Sequence, residues 1–514
     1  MGKVIKKVDI KDFLRRHRVF LVSAGLIVAL FLVTRLYNIL AVPMFNDEAI
    51  YIRWAELFKV NHHQMFVSLT DGKQPSFIWL MTLFLYVFRD PLLAGRLAAM
   101  LMGLLGMAGI YFLVRELFGN AKIALAASLL YVLYPYTLLY DRMALYDSTL
   151  AMCMIWSLYV EVLLVRRRTL IMALFSGVVL GAGLLTKSGA FFAIYLLPFS
   201  LLLFDLKRKH RNKELLKWVG LAVLAVICAL ALYSILRLSP NFKYIASKNG
   251  EFTFTIGEWL HHPFTYFWRN ARIMAGFITG YSTIPFLVFA VGAFIVDKKY
   301  IPEKVLLLLW SILPLAALAF FGKLLYPRYI LFMLMPLLAL AAYTAVAFYS
   351  QIKMRYVGVV VLILFALPML WKDYHILTNF ARAPIPELDR YAYIEGFYSG
   401  TGVKQVVDIL EEKSQGQTIY VGTQGGFGIM PYGIQNYMYT NKNVIVQSFA
   451  GVGPEVPSQI IEATRKYPTY YVFASPCPVC DSIGTPPKTW PVKELLRVKR
   501  IEDNSYLTLV QVMS

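Results

Sequence analysis

From Val19 onward the chain passes through one apolar stretch after another, each about 16–24 residues long and able to cross or nearly cross a bilayer. Of the 514 residues, 58% are hydrophobic and only 16% charged, where soluble domains carry about a quarter charged residues. A chain of this kind is a polytopic α-helical membrane protein. The first run, Val19–Val42, is too long for a signal-peptide core and lacks a clear small-residue cleavage site, so it reads as a retained span.

The net charge of +21 does not imply nucleic acid, because its distribution is uneven. From Asp373 onward 12 Lys and Arg stand against 13 Asp and Glu, while the preceding residues carry 39 against 17. The excess sits among the apolar runs, where membrane topology and anionic lipid account for it. About eleven spans are expected, at 19–41, 91–114, 122–140, 146–165, 169–186, 189–205, 216–237, 282–297, 304–322, 329–350 and 355–372. Basic clusters mark cytoplasmic loops. Lys3, Lys6, Lys7, Lys11, Arg15, Arg16 and Arg18 start the chain inside, and Arg115/Lys122, Arg166–Arg168, 207–213, Lys298/Lys299 and Lys353/Arg355 return to that side. The odd number of crossings puts the C-terminal part outside, in a multi-pass protein of the cell membrane.

The segment 75–88 is apolar enough to cross, but at about 14 residues it is short, and a crossing there would turn every later basic cluster outward. It is expected to lie at the outer surface as an interfacial helix. A second such helix is expected at 47–66, with Ile50, Trp54, Leu57 and Phe58 at helical spacing. Residues 1–375 then form the membrane domain. Residues 376–514 form a small extracytoplasmic α/β domain, with strands expected at 418–423, 443–449, 469–475 and 506–512 and helices at 402–413 and 458–467. Cys153 and Cys228 lie in apolar runs as packing residues. Cys477 and Cys480 form a lone CPVC, which fits a local disulfide outside the cell or half of a metal site. The run "GTQGGFG" at 422–428 lacks a following Lys-Ser/Thr and reads as a turn rather than a phosphate loop.

On this topology Asp47, Glu48, Lys73, Asp141, Arg142, Asp147, Lys187, Lys323 and Arg328 all fall toward the outer face. Ionisable groups at membrane depth are costly, so they pair or work. Singly each has a structural reading: Asp47 as a helix N-cap, Arg142 with Asp147 as an ion pair, Lys187 reaching for the interface, Lys323 and Arg328 as topology anchors. Together they are more informative. A carboxylate can take a proton from a hydroxyl, and nearby cations can stabilise a phosphate, Arg with a planar fork. Both needs in one membrane site point to a lipid-phosphate donor.

The order "NDEAIY", "DGKQPSF", "AGRLAAMLMGLLGMAGIYFLVRELFG", "YDRMALYD", "LLTKSG" and "KLLYPRY" resembles the GT-C membrane glycosyltransferases, in particular the protein O-mannosyltransferase-like and lipid A aminoarabinose transferase-like group. The resemblance covers about residues 20–350. It implies that Asp47 is the catalytic base, that Glu48 positions Asp47 or the acceptor, and that Asp147, from the R-x-A-x-x-D pattern with Arg142, is a second carboxylate of the site. It implies lipid-phosphate contacts from Lys323, Arg328 and Tyr329, with Lys187 at the mouth of the site and Lys73 and Arg142 as further cations. Two positions depart from the pattern. Lys73 is followed by Gln74 before Pro75, one position early, and Ile50 stands where some relatives have Arg.

The implied reaction moves a sugar, a hexose or an aminopentose, from a polyprenyl phosphate to a hydroxyl of a lipid-linked glycan, cell-envelope polymer or protein, inverting the anomeric carbon. Its partners are that donor, the acceptor and membrane lipids, with no nucleic acid. No cofactor is required by the pattern and no metal site is named; a divalent cation, used by some GT-C relatives, stays open. The competing reading is a secondary transporter or flippase. Transporters carry ionisable residues at mid-membrane between internal repeats, whereas here the charges gather at one face and no repeat stands out.

Overall fold

A computed structural model of the protein describes residues 10–207, 209–501 and 504–513, with side chains from Arg18 onward. Lys3, Lys6, Lys7 and Arg208, expected to mark the cytoplasmic side, lie outside the described residues.

Seven described helices are long and apolar enough to cross a membrane: Arg18–Leu36, Pro91–Phe118, Tyr146–Arg167, Arg211–Leu238, Ile301–Phe321, Pro327–Gln351 and Arg355–Thr378. Phe267–Tyr281 and Ile284–Val296 would make an eighth, bent by 103° at its break. The other three expected spans fall on shorter apolar helices, Ala121–Leu133, Leu170–Leu184 and Ser188–Leu203. Proline explains two of them. Tyr134 precedes Pro135 and is extended, which ends the first of these helices. The third tightens to a 3-10 helix, Leu197–Leu203, that opens with Pro198. Lipid-facing surface is legible in Ile284, Val288, Val291 and Ile295, which are exposed at helical spacing. Small residues bring helices close elsewhere: a Cβ on Gly177 would stand 2.5 Å from Cβ of Cys228, and one on Gly181 would meet Leu232.

The two ends of the bundle differ in their ion pairs. At one end Arg166 pairs with both Glu116 and Glu303, and Arg168 with Glu214, which ties the basic loops together. At the other end lie 46–71, 141–147, 187, 240–266, 322–329 and the C-terminal sheet. The expected interfacial segment 47–66 is a helix, Asn46–Val60, followed by a 3-10 helix, His62–Asp71. Asn61 makes the break, its side chain accepting the N–H of His63. Ser76–Val87 is a 12-residue helix, about 18 Å long. It lays Phe77, Ile78 and Met81 into the core and leaves Leu83, Tyr86 and Val87 exposed.

The C-terminal sheet has five strands, β1 (Ile419–Gln424), β2 (Val444–Phe449), β3 (Thr469–Phe473), β4 (Val492–Lys499) and β5 (Tyr506–Val512), in the order β2-β1-β3-β5-β4. The first three are parallel, joined through the Ile429–Met438 and Ser458–Thr464 helices, and β5 and β4 add antiparallel. Alternate residues face opposite ways. Ile419, Val421, Tyr470, Val472, Leu507 and Leu509 join a core continuous with the helical bundle, while Tyr420, Tyr471, Phe473 and Val510 pack under Ile460 and Trp490. The sequence reading missed β4, whose Lys493, Glu494, Arg497 and Lys499 obscure its pattern; charges of this kind are what an edge strand tolerates. Cys477 and Cys480 are joined as a disulfide, while Cys153 and Cys228 are free.

Candidate active site

The turn that opens the Asn46–Val60 helix carries the two adjacent carboxylates, and they part company at once. Glu48 turns inward and is fully buried. Its Oε1 accepts from Arg96 Nε at 2.9 Å and from the Ala144 N–H at 2.7 Å. Its Oε2 accepts from Arg96 Nη2 at 2.8 Å and from the Phe45 N–H at 2.9 Å. Arg96 completes its own shell on the carbonyls of Ile39, Val42 and Pro43. This network clamps the loop after the first span, the "YDRMALYD" loop and the Pro91–Phe118 helix to one another. Arg96 was not singled out from sequence, although an arginine inside an apolar run signals a buried acidic partner.

Asp47 points the other way. Its side chain is 14% exposed, and Oδ2 lies 3.0 Å from Arg328 Nη2. Tyr51, one turn along the helix, donates to the same oxygen at 3.3 Å, and the Asn46 amide reaches Oδ1 at 3.5 Å. Burial pushes the Asp47 carboxyl up, but Arg328, Lys73 and these hydrogen bonds outweigh it, so it titrates below the ordinary Asp value. Asp47 is therefore not a helix cap; the N-cap position belongs to Phe45.

Two further cations and a second carboxylate stand around this pair. Lys73 pairs with Asp71 at 3.2 Å and lies over the rings of Tyr51 and Trp54, at 4.9 and 5.9 Å. Lys187 donates to Asp147 Oδ1 at 2.7 Å and lies 4.7 Å from the Tyr329 ring centre. Burial lowers the Lys187 ammonium, Asp147 opposes the shift, and Arg328 and Lys73 add to it, leaving it below the ordinary Lys value. Arg328 itself lies against Phe45, Tyr326 and Tyr329. Asp47, Asp147, Lys73, Lys187, Arg328 and Tyr329, drawn from distant parts of the chain, thus share one rim.

Two residues of the expected set are turned elsewhere. Arg142 does not pair with Asp147; its Nη2 donates to the carbonyls of Tyr37 and Asn38, at 2.7 and 2.9 Å, and so ties down the end of the first span. Lys323 pairs with the exposed Glu258 at 2.9 Å, donates to the Gly250 carbonyl and lies over Phe254. Asp141 is enclosed by Arg35, Tyr131 and Ser148, and only a glycine fits beside it, since a Cβ on Gly103 would come within 2.4 Å.

The glycine run 422–428 is a turn, as read. It leads from β1 into the Ile429–Met438 helix with Gly425 and Gly428 at positive φ. The Ile429 N–H at its end donates to Asn46 Oδ1 at 2.9 Å, and Asn436 donates to the Ala49 carbonyl. The sheet is thereby fastened to the turn that carries Asp47. Among the described residues no three His, Cys, Asp or Glu side chains gather as a metal site.

A helical membrane bundle with a polar rim roofed by a small α/β sheet is a layout that known proteins share. Residues 72–233 match the family described as dolichyl-phosphate-mannose-protein mannosyltransferase. The fold is similar to that of ArnT from Cupriavidus metallidurans in the apo state, with 16% identity, a TM-score of 0.57, and 97% of this chain and 98% of that one covered. The same protein bound to undecaprenyl phosphate gives a TM-score of 0.56 at 16% identity, covering 96% and 98%. The Archaeoglobus fulgidus oligosaccharyltransferase in complex with Zn and sulfate follows at 0.52 and 14%, covering 88% of this chain and 67% of that one. No curated protein sequence matches the chain. The local family match over residues 72–233 and the shared fold together make the chain similar to the GT-C membrane glycosyltransferases.

Proposed function

We propose that the protein transfers a sugar from a polyprenyl phosphate to an acceptor hydroxyl, with inversion, at the outer face of the membrane. The observation that carries this reading is the contact between Asp47 and Arg328 at 3.0 Å, with Lys73 and Lys187 on the same rim. A base and phosphate-binding cations stand where lipid and water meet. A polyprenyl phosphate, the carrier such a donor would release, is the lipid to which ArnT from Cupriavidus metallidurans is described as bound.

In this reading the donor's phosphate takes up Arg328 and Lys73, whose ion-pair partners among the described residues are Asp47 and the part-exposed Asp71. Neutralising those cations removes what holds the Asp47 carboxyl low, so its basicity rises as the donor binds. The acceptor hydroxyl loses its proton to Asp47, its oxygen bonds to the anomeric carbon, and the bond from that carbon to the phosphate oxygen breaks. The phosphate leaves as an anion and needs no general acid. Glu48, occupied by Arg96, serves by fixing the turn beneath Asp47. Asp147, held by Lys187, faces the same space and is the group available to orient the acceptor.

The test is incubation of the purified protein, in lipid, with a panel of polyprenyl-phosphate hexoses and pentoses and extracted envelope glycans as acceptors. Release of free polyprenyl phosphate together with a product of inverted anomeric configuration supports the reading. A donor panel left intact, or a product with retained configuration, contradicts it.

A further inference from the structure

Within electrostatic reach of Arg328 lies a buried carboxylate that the reaction above does not use. Asp389 belongs to the short Glu387–Arg390 helix, in the segment that links the last span to the sheet. Its Oδ2 accepts two phenols at once, from Tyr140 at 2.5 Å and from Tyr281. These tyrosines come from elements far apart in sequence, the end of the Pro135–Tyr140 helix and the bend of the broken span.

Two arms run from this carboxylate to Arg328. In the first, the Tyr281 ring stacks on Tyr136, centres 4.1 Å apart and planes within 8°, and the Tyr136 hydroxyl donates to the carbonyl of Pro327. Pro327 is the residue immediately before Arg328. In the second, Tyr393 donates to the Tyr140 hydroxyl at 3.2 Å and sets its ring edge-on to Phe45 at 4.9 Å. The Arg328 guanidinium lies 5.4 Å from the centre of that same Phe45 ring. One arm fixes the backbone that carries the arginine, the other the surface on which its fork rests.

We propose that Asp389 is a positioning residue for donor binding: by gathering Tyr140 and Tyr281, it holds the Pro327–Tyr329 turn and Phe45 so that the Arg328 fork is presented to the donor's phosphate. This rests on the functional reading above and extends it to a residue of the linker between bundle and sheet. A guanidinium acts as a bidentate phosphate ligand only while its plane is fixed, and two independent supports fix it here. The phenols donate only while Asp389 is available to accept. The groups facing it are Tyr140, Tyr281, Tyr393 and Arg328; burial pushes its carboxyl up, and these oppose the shift, leaving it at about 6. Below that pH the protonated carboxyl competes with the phenols as a donor, and the support weakens.

The experiment compares wild type, Asp389→Asn and Tyr281→Phe in lipid nanodiscs. It measures polyprenyl phosphate binding directly and donor KM and kcat across pH 5 to 8, and it requires each variant to keep a wild-type unfolding midpoint. Asp389→Asn is expected to raise donor KM and weaken polyprenyl phosphate binding roughly tenfold, as loss of a charge-assisted hydrogen bond does, with kcat changed far less. The wild-type acid limb in donor KM and polyprenyl phosphate binding near pH 6 is expected to be absent in Asp389→Asn. Tyr281→Phe keeps the stacked ring and loses the phenol, so it shifts KM in the same direction by less, and it carries the test if Asp389→Asn does not fold. Wild-type KM in a folded variant, or an acid limb in donor KM and polyprenyl phosphate binding that persists in Asp389→Asn, overturns the positioning role alone; an acid limb in kcat belongs to Asp47. A wild type that neither binds polyprenyl phosphate nor turns over overturns the functional reading and this role together.

Discussion

Asp47 and Glu48 are neighbours in one helical turn, yet they live in different solvents. Glu48 is sealed away, with both oxygens saturated by Arg96 and two backbone N–H groups. Asp47 keeps part of its surface open and is held by an arginine whose ion-pair partner, among the described residues, is Asp47 itself. The first arrangement suits a fixed strut, because a buried ion pair has no slack: removing either partner strands a charge. The second suits chemistry, because its counter-ion can be taken by an incoming phosphate. The lesson is that adjacency in sequence says little about role; what matters is whether a carboxylate's partners are exchangeable.

The largest expected effect breaks the strut. Glu48→Gln leaves Arg96 buried without its counter-charge and should lower stability by about 3–5 kcal/mol, read as a lower unfolding midpoint and reduced yield in detergent. Gly428→Ala comes next. It places a Cβ at φ +102, 2.2 Å from Asn46 Oδ1, and should cost about 1–3 kcal/mol while loosening the fastening between the sheet and the Asp47 turn. Proteolysis of the C-terminal part should then be faster than in wild type. Arg328→Lys sharpens the contrast from the other side. It keeps the charge and loses the fork, so donor KM should rise roughly tenfold with the unfolding midpoint little changed. The smallest effect is expected for Lys323→Ala, since this lysine pairs with the exposed Glu258 away from Asp47; steady-state turnover should stay within roughly twofold of wild type. A larger loss there would bring Lys323 back into the donor site and blur the division drawn here.

Much of this was legible beforehand. Lys and Arg clusters and apolar run lengths gave the bundle and gathered Asp47, Asp147, Lys73, Lys187 and Arg328 on one side, because burial cost and topology act on sequence directly. Partner choice was not legible. Nothing local tells Glu48 to seek Arg96, or Arg142 to seek the carbonyls of Tyr37 and Asn38 rather than Asp147. Those choices follow from which helices pack together. The Asp389 cluster was invisible for the same reason, since its tyrosines come from three separate elements and read singly as ordinary aromatic residues. Short spans were overestimated where Pro135 and Pro198 interrupt apolar runs that hydropathy alone joins.

The most direct test of this division is the turnover of Asp47→Asn in nanodiscs, at saturating polyprenyl-phosphate sugar and acceptor, on protein whose unfolding midpoint is checked in the same sample. Turnover should fall roughly 100- to 10,000-fold, the range for loss of a general base, with the midpoint close to that of wild type. Wild-type turnover in a folded Asp47→Asn protein would contradict the assignment of the open carboxylate as the base.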